Sequence, residues 1–405
     1  MADDFSPLPA SRVLAATTAG AATTAEAARL SAPRAQGDAQ VARTASVLHE
    51  GITRLCPAAP EASLSVELMG REGCAVLDPG GSVHRDRRLH AALVAPVRHL
   101  LDAGGKRWRA HLMARVLDLF GVGGRRYAEL IAACEVGHAG SLMVDDVEDA
   151  SPLRRGSPAA HTVFGEATAI NAGTAAYFSF DRAIRHTFPE DAELRLAVYE
   201  TYLANLRATH AGQALDIQGH QEELELALTT SDSEPLLRIL ALTHRLKTGA
   251  QVRAVCEIGA LAGRATAEQR AVLGEFGEAL GLAYQITDDV GDLRGVTHRD
   301  RVTKRAAEDL RNAKVTFPLA HSVTLLPRAE AATLWRSLRA GPDERTVERA
   351  VRTIEDCGAV AACEKEAARL LDEAWAAARP CLPDSPHTAA LADAAAAVVR
   401  RTWNT

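Results

Sequence analysis

The sequence predicts an all-α protein, a single large helical bundle with a central cavity. From residue 88 onward hydrophobic residues recur at helical period, strand-like alternation is nearly absent, and Gly and Pro separate the periodic stretches. The chain has 405 residues, 47% hydrophobic and only 4% aromatic, so it can bury one large aliphatic core. We expect about a dozen helices, with a ligand cavity between facing helices of the bundle.

The chain before residue 88 differs in composition from the rest. Residues 1–45 are rich in Ala, Thr and Ser with little periodicity, and we expect a disordered tail there. Residues 46–87 are expected to form a partly helical extension, because ASVLHEGITRL reads as a helix before a run of loop signals. Residues 88–405 are expected to form the main domain.

Composition and charge exclude several classes of protein. No apolar run approaches the ~20 residues that span a bilayer, and the acidic, polar start does not resemble a signal peptide. The seven scattered cysteines favour a reducing compartment, the cytoplasm, over a disulfide framework. The net charge of −6 and the absence of a basic stripe argue against nucleic acid as a partner.

Two short aspartate clusters each follow a long apolar helical stretch. They are Asp145, Asp146 and Asp149 in the first cluster and Asp288, Asp289 and Asp292 in the second. Carboxylates are unfavourable there because a helix carries partial negative charge at its C-terminal end. In each cluster the first and last Asp are four residues apart on one helical face, where like charges repel unless a cation is bound. The pattern predicts magnesium, held by carboxylates and completed by substrate phosphates.

Basic residues stand where a helix end attracts anions. Lys106 and Arg109 lie in the first turn of a predicted helix, directly after two glycines. Cations there oppose the helix dipole unless an anion is bound by them and by the free backbone N–H groups. Arg154 and Arg155 add a basic pair just beyond the first aspartate cluster. Residues that suit a metal and residues that suit phosphate therefore alternate, which predicts a diphosphate site.

The motifs resemble those of one known family. The run from His138 to His161, which contains the first cluster, is similar to the first aspartate-rich region of trans-isoprenyl diphosphate synthases, the polyprenyl synthetase family. Further motifs follow in the order of that family: Gly212 to Asp216, Lys247 with Thr248, Tyr284 to Asp292, Lys304, and Asp309 to Pro318. The resemblance covers residues 88–402, so the main domain is expected to be a synthase domain, most like a bacterial geranylgeranyl diphosphate synthase.

The resemblance implies a magnesium-dependent enzyme that condenses isopentenyl diphosphate with an allylic diphosphate. Three Mg²⁺ ions per active site are expected with substrate bound. The direct ligands would be Asp145, Asp149 and Asp288. The supporting or outer ligands would be Asp146, Asp289 and Asp292. Such a metal acts as a Lewis acid and as a template for the leaving group.

The resemblance also assigns residues to the two substrates. The allylic diphosphate would be contacted by Arg154, Lys247 and Lys304, with Lys314 as a further candidate. Isopentenyl diphosphate would be bound without metal by Lys106, Arg109, His138 and Arg155. The catalytic residues lining the allylic cation would be Thr248 and Gln285, beside Tyr284. Support for the basic residues and metals would come from Gln213 and Asp216. The released pyrophosphate is the expected base for the final proton.

Product length depends on where the tunnel for the growing chain ends. The tunnel should follow the helix of Asp145 towards its N-terminus, past four small residues: Ser141, Gly140, Gly137 and Cys134. Nothing large blocks this path, and Tyr177, Phe178 and Phe180 on the next helix could form its floor. We therefore expect the C20 product, geranylgeranyl diphosphate, with longer polyprenyl chains or farnesyl diphosphate as alternatives.

Two other functions share part of this pattern. A class I terpene cyclase has the same fold and metals but usually lacks residues for a second diphosphate, so Lys106, Arg109 and Arg155 count against it. A non-catalytic partner subunit tends to lose aspartates, and this chain keeps both clusters. The resemblance further implies a homodimer.

Single residues also have structural alternatives. The aspartates could be solvated helix ends, and Lys106 and Arg109 could be surface charges. His138 could be a core histidine. Gly249, which costs about 1 kcal/mol relative to Ala inside a helix, could break the helix for function or serve only packing.

Overall fold

The computed structural model describes residues 40–77, 82–298, 301–304 and 306–401, without the side chains of residues 71–77 and 296–304. Val47–Thr405 form one compact unit. Of the predicted tail, residues 1–39 lie outside the described part, and the first described helix begins at residue 40 rather than after residue 45. The placement of the predicted domain boundaries at residues 45 and 87 stays a prediction.

The fold is all-α, as predicted. Its described α-helices, in chain order, are α1 (40–55), α2 (Ala62–Leu77), α3 (Val83–Leu89), α4 (Ala95–Asp102), α5 (Trp108–Leu119), α6 (Ala128–Glu148), α7 (Ala160–Phe164), α8 (Glu166–Tyr177), α9 (Ser179–Thr187), α10 (Ala192–Gln218), α11 (Gln221–Thr230), α12 (Glu234–His244), α13 (Ala250–Ala262), α14 (Ala267–Arg294), α15 (Glu308–Arg311), α16 (Phe317–Leu325), α17 (Arg328–Arg339), α18 (Glu344–Asp356), α19 (Ala359–Ala378) and α20 (Pro386–Val399).

Shorter elements connect these helices. Two π-helical turns cover His90–Val94 and Arg245–Gly249, and two 3₁₀ turns cover Arg125–Tyr127 and Arg379–Cys381. Two antiparallel hairpins pair β1 (Leu153–Arg154) with β2 (Ser157–Pro158) and β3 (Val296–His298) with β4 (Arg301–Lys304). The described part holds more helices than the dozen predicted, because turns and capping residues divide the periodic stretches and leave short pieces such as α7 and α15.

The long helices in the centre of the bundle position the cavity. Helix α14 packs against α13 and α19, α10 packs against α13, and α6 packs against α8. Helix α5 also packs against α13, and the largest fully buried side chains include Phe276 on α14 and Met113 on α5. Among the helices that the structure describes, none combines the length and the apolarity that crossing a bilayer requires.

Both aspartate clusters lie within the last two turns or at the C-terminal cap of a long helix. In α6 the amide of Asp149 donates to the carbonyl oxygen of Asp145 at 2.9 Å, so the chain is still helical there. The helix then stops at Ala150, which has a left-handed φ of 51°. Helix α14 stops at Gly295, whose φ is 72°, as the sequence predicts. The predicted placement of carboxylates at two helix C-terminal ends is therefore observed.

Helices α6 and α8 approach closely at two glycines. A Cβ atom added to Gly140 would lie 2.4 Å from the carbonyl oxygen of Gly173, and one added to Gly173 would lie 2.8 Å from that of Gly140. Gly140 was expected in the tunnel wall, and that expectation is wrong. It faces α8 instead, because Gly140 and Ser141 are adjacent on a helix and point about 100° apart.

Gly140→Ala should therefore destabilise the protein. Separating α6 from α8 costs roughly 1–3 kcal/mol, more than the ~1 kcal/mol gained from the better helix propensity of Ala. Gly137→Ala is the matched control, because a Cβ there meets Phe180 only at 3.8 Å. Chemical unfolding measures both variants. A Gly140 variant as stable as the Gly137 variant would show that this crossing is not tightly packed.

Candidate active site

A cavity of about 1540 Å³ lies between the long helices, and both aspartate clusters face it. Its lining includes Asp145 and Asp149 from α6 and Asp288 and Asp289 from α14. Asp146 is only 1% exposed and lies behind this surface. The two clusters thus face one space.

Asp145 is surrounded by positive charge and hydrogen-bond donors. Its Oδ1 accepts from Lys247 Nζ and from Gln213 Nε2, each at 3.1 Å, and its Oδ2 lies 3.5 Å from Arg154 Nη2. Burial would raise the pKa of this carboxyl, but the charges of Lys247 and Arg154 outweigh burial and lower the pKa of Asp145. Asp145 is therefore ionised at neutral pH, as a metal ligand has to be.

Asp146 holds Arg154 in place rather than facing the cavity. The Oδ1 of Asp146 accepts from Arg154 Nε at 2.7 Å, and a second guanidinium nitrogen also contacts it. Arg154 belongs to the β1–β2 hairpin, which turns back directly after α6. The hairpin thereby brings Arg154 to Asp145 and Asp146 together, and the paired geometry suits a guanidinium.

A partly buried carboxylate links two lysines at the first cluster. Asp216 Oδ2 accepts from Lys247 Nζ at 2.7 Å and from Lys314 Nζ at 2.8 Å. Burial acts to raise the pKa of Asp216, yet the two ammonium groups hold that pKa far below its usual range. The pKa of Lys314 is raised because the charge of Asp216 outweighs its burial. Lys247 contacts Asp216 and Asp145 at once, so its ammonium group is fixed at the cavity wall.

In the second cluster two of the three carboxylates accept hydrogen bonds from backbone amides. Asp289 Oδ2 accepts from the backbone amide of Phe317 at 3.0 Å and lies 3.2 Å from His244 Nε2. Asp292 Oδ2 accepts from the amide of Asp309 at 3.1 Å. Both residues are at most 5% exposed. They anchor α14 to the segments around it, and their role as supporting metal ligands stays a prediction.

Asp288 faces the cavity more openly. Its side chain is 40% exposed, and its Oδ1 forms an ion pair with the guanidinium of Arg401 near the C-terminus. Sequence reasoning missed Arg401, because the two residues are 113 positions apart and no local pattern connects them.

The π-helical turn between α12 and α13 presents two of the predicted residues. Lys247 and Thr248 lie in this turn, and Thr248 Oγ1 donates to Gln285 Oε1 on α14 at 2.9 Å. Gly249 also packs closely, since a Cβ on Gly281 of α14 would lie 2.6 Å from its Cα. The irregular turn and the tight packing are thus both present at Gly249. A π-turn inside a longer helix frequently marks a functional site.

The predicted isopentenyl diphosphate residues form a basic group on one side of the cavity. Arg109 is 7% exposed, lies over the ring of Trp108 at 4.6 Å and has its Nη1 3.3 Å from His138 Nε2. Burial and the charge of Arg109 hold the pKa of His138 well below its usual value. His138 is therefore a neutral imidazole. It contacts Arg109, a candidate for binding substrate, so its position indicates more than the packing role of an ordinary core histidine.

Arg155 is held by the loop before α5. Its Nη1 donates to the carbonyl oxygens of Leu100, at 3.0 Å, and Gly104. A Cβ on Gly105, whose φ is 131°, would lie 2.8 Å from Arg155 Cζ, so glycine is needed at that position. Lys106 follows directly and lines the same cavity, whereas the side chain of Lys304 lies outside the described part of the chain.

Two further cavity residues had little or no sequence signal. Gln251 lines the cavity, and its Nε2 donates to the carbonyl oxygen of Lys247 at 3.1 Å. Glu135 is 2% exposed inside α6, where its Oε1 accepts from the amide of Ala110 at 3.3 Å. A glutamate within an apolar helical run was a usable signal for Glu135. Gln251 had none, because a glutamine near the start of a helix is ordinary.

A narrow apolar pocket of about 80 Å³ adjoins the cavity. Its lining contains five of the residues predicted for the tunnel and its floor: Cys134, Gly137, Ser141, Tyr177 and Phe180. Tyr202 of α10 also lines it, and its ring stacks on that of Phe180 with 4.3 Å between centroids. Phe178 was expected here and is instead 74% exposed, because it follows Tyr177 at a helix junction and points to the other side.

The donor set at the cavity suits magnesium. Among the described residues, no group of three or more His, Cys, Asp or Glu side chains is arranged to hold a metal ion by itself. Asp145, Asp149 and Asp288 nevertheless offer hard oxygen ligands to one space that is also lined by phosphate-binding cations. Mg²⁺ is commonly bound in this way, by a few carboxylates together with water and substrate phosphates.

Asp216→Asn should destabilise the folded chain, because Lys247 and Lys314 would lose their shared carboxylate. We expect a loss of about 2 kcal/mol, below the ~3–5 kcal/mol of a fully buried pair, since the two lysine side chains are 21% and 32% exposed. Asp393→Asn on α20, an exposed site, should change stability by less than about 0.5 kcal/mol. Urea unfolding at pH 7 measures both differences.

The effect of Asp216→Asn should also depend on pH. A carboxyl whose pKa is lowered by folding contributes stability above its unfolded value, about 3.9, and loses it as pH falls through the lower folded pKa. The difference between wild type and variant should be constant from pH 7 to about 5 and should shrink below about pH 4. A difference that grew with acidity would contradict the assignment of the charge to Asp216.

Comparison with known proteins places the chain in a family. The polyprenyl synthetase family model matches residues 90–354. The chain is 35% identical to a farnesyl diphosphate synthase of Geobacillus stearothermophilus over 234 residues, 56% of this chain and 74% of the relative. It is 29% identical to a geranylgeranyl pyrophosphate synthase of Apiospora sacchari over 329 residues, 80% and 90% of the two chains. A decaprenyl diphosphate synthase structure from Rhodobacter capsulatus matches with a TM-score of 0.67 and 26% identity, covering 90% of this chain and 99% of that one. The chain therefore belongs to the polyprenyl synthetase family, whose members are magnesium-dependent trans-prenyltransferases.

Proposed function

We propose that this prenyltransferase adds isopentenyl diphosphate to allylic diphosphates and stops at geranylgeranyl diphosphate, the C20 product. The observation that carries the proposal is one cavity with two carboxylate clusters and a separate basic group, continued by a narrow apolar pocket. The reaction needs these three environments. One holds a prenyl donor with a metal-bound leaving group, one holds a second diphosphate, and one holds the growing hydrocarbon tail.

The first proposed role is to hold the allylic diphosphate. Asp145, Asp149 and Asp288 would bind three Mg²⁺ ions, which neutralise the pyrophosphate as it leaves. Arg154 and Lys247 would add fixed positive charge at the same oxygens, and their contacts with Asp146 and Asp216 hold them in position. Lys304 and Lys314 remain proposed contacts of the same group.

The second proposed role is to hold isopentenyl diphosphate without metal. Lys106, Arg109 and Arg155 carry the charge, and the neutral His138 supplies a hydrogen bond beside Arg109. This basic group and the carboxylates line one cavity, so both substrates would be bound in contact with each other. Fixing two reactants in this way removes much of the entropic barrier to their reaction.

The bond changes then balance without a side-chain base. The carbon–oxygen bond of the allylic diphosphate breaks, and pyrophosphate departs with the electron pair. The double bond of isopentenyl diphosphate attacks the allylic cation, and a new carbon–carbon bond forms. Thr248 and Gln285, joined by a hydrogen bond, and Tyr284 would line the cation, and pyrophosphate would accept the proton that is lost.

Purified protein should convert isopentenyl diphosphate and the C5, C10 or C15 allylic diphosphates into a C20 diphosphate when Mg²⁺ is present. Chelation of the metal should abolish turnover, and Asp288→Asn should slow it by roughly 10²- to 10³-fold, while Asp393→Asn should not. Mass spectrometry of the products is the readout. A hydrocarbon formed without isopentenyl diphosphate would indicate a cyclase, and no product at all would indicate a non-catalytic subunit.

The length proposal depends on the narrow pocket. Ser141 lies at its entrance, since Ser141 lines both the large cavity and the pocket. The stacked rings of Phe180 and Tyr202 form the far wall, and the hydroxyl of Tyr202 is fixed by donating to the carbonyl oxygen of Tyr177 at 2.7 Å. The open entrance would admit the growing prenyl chain, and the fixed aromatic wall would limit it. Together they support a product of intermediate length.

Ser141→Phe should shorten the main product to C15 or below, because the ring would fill the entrance of the pocket. Tyr202→Ala should lengthen it beyond C20 by removing one of the stacked rings. Phe178→Ala is the matched control, since its exposed side chain should not affect product length. Product chain length is measured after dephosphorylation. An unchanged product length in the Ser141 variant would show that this pocket does not set the chain length.

Homodimerisation and a cytoplasmic location also stay proposals. Large apolar side chains are exposed on α8, on α10 and at the α8–α9 junction: Ile170, Phe178, Leu196, Leu203 and Ile217. Such a surface supports a second copy as the occupant, and sedimentation would then give twice the chain mass of 43.0 kDa. The six cysteines that the structure describes are all free thiols, which supports a reducing compartment.

A further inference from the structure

The ion pair between Arg401 and Asp288 occupies a carboxylate that the proposed function assigns to magnesium. Arg401 comes directly after the C-terminal end of α20, and its guanidinium reaches across the cavity wall to Asp288 Oδ1. The guanidinium also lies 5.1 Å from the ring centre of Tyr284, one turn before Asp288 on α14. The positive side chain of Arg401 thus lies at the carboxylate that a metal ion would have to reach.

The two aspartate clusters differ in how their cations are held. At the first cluster each cation has a second carboxylate: Lys247 contacts Asp216 and Arg154 contacts Asp146. If Asp145 binds a metal, both cations keep a partner. Among the described contacts of Arg401, by contrast, Asp288 is the one carboxylate.

When a metal takes Asp288, Arg401 therefore loses the one carboxylate among its described contacts, and the charge of Asp289 acts on Arg401 without direct contact. Its Nε is already buried without a hydrogen-bond partner among the described atoms. Burial would lower the pKa of Arg401, and the charge of Asp288 reverses that effect, whereas Lys106 feels Arg401 as a nearby like charge. Separating Arg401 from Asp288 leaves a partly buried cation close to another cation, which is unfavourable.

We propose that Arg401 is a built-in competitor of the divalent cation at Asp288 and weakens metal binding at the second cluster selectively. The inference rests on the proposed function, in which Asp288 is a metal ligand. Its consequence is that anion binding and metal binding are coupled. An anion such as a diphosphate that enters the cavity offers Arg401 a new counter-charge, and metal binding at the second cluster then becomes tighter.

Direct titration of the full chain with Mn²⁺, followed by electron paramagnetic resonance of the free ion, tests the competition without substrate. Arg401→Ala should bind Mn²⁺ at Asp288 about threefold to fivefold more tightly than wild type, the range expected for losing a partly exposed ion pair. Arg401→Lys should lie between the two. The gain should shrink as ionic strength rises, because salt screens the pair.

Two controls test whether the change in Mn²⁺ affinity comes from the ion pair of Arg401 with Asp288. Arg400→Ala removes a neighbouring charge that does not contact Asp288 among the described contacts, and it should leave Mn²⁺ affinity close to wild type. In an Asp288→Asn background, Arg401→Ala should have no effect on affinity. Thermal unfolding of each variant shows whether it is folded.

Equal Mn²⁺ affinity of wild type and Arg401→Ala, or no binding by the variant, overturns the competition. An equal gain from Arg400→Ala also overturns it, because the effect would then be general charge. Turnover of wild type that does not depend on a divalent cation would instead count against the proposed function, so the two failures can be told apart.

Discussion

Carboxylates gathered at the C-terminal ends of two helices have to be balanced by positive charge, and the cavity is built around that requirement. The partial charge of the helix end adds to that of the side chains, so neither α6 nor α14 could end in this way in plain solvent contact without cost. The protein brings cations to these ends from separate elements, one of them the hairpin directly after α6. Lys247 comes from a π-turn, Arg154 from a hairpin and Arg401 from the chain end. The bundle therefore places positive groups where metal-bound phosphate needs them.

Within each cluster the carboxylates divide between two tasks. Asp145, Asp149 and Asp288 face the cavity, whereas Asp146 and Asp292 are buried and bound by protein groups. In the first cluster helical geometry produces this division, because residues one position apart point about 100° apart and residues four apart share a face. In the second cluster Asp292 lies four residues after Asp288 but is covered by the segment of Asp309, whose backbone amide donates to it. The buried carboxylates fix Arg154 and the chain after α14, and they thereby hold the exposed ones in place. Each aspartate-rich motif thus supplies candidate metal ligands and also the carboxylates that hold neighbouring groups in place.

The sequence predicted the all-α fold and most of the cavity because both depend on local patterns. Helical periodicity located α6, α10 and α14, and unfavourable charge at helix ends located the aspartates. Failures arose where the answer depends on which neighbour a residue meets. Gly140 and Gly137 are both small residues on α6, yet the first faces α8 and the second faces the pocket. Arg401 contacts a residue 113 positions away, so only the folded chain reveals it.

The stacked rings of Phe180 and Tyr202 are proposed to limit product length, and they are not among the residues proposed to bind metal or diphosphate. Phe180 belongs to α9, a short helix that carries none of the residues proposed to hold metal or diphosphate. Change at that position can therefore accumulate without disturbing the charged groups on which ionisation of the substrate depends. A lineage could in this way diversify the size of what it makes while its reaction chemistry stays constant.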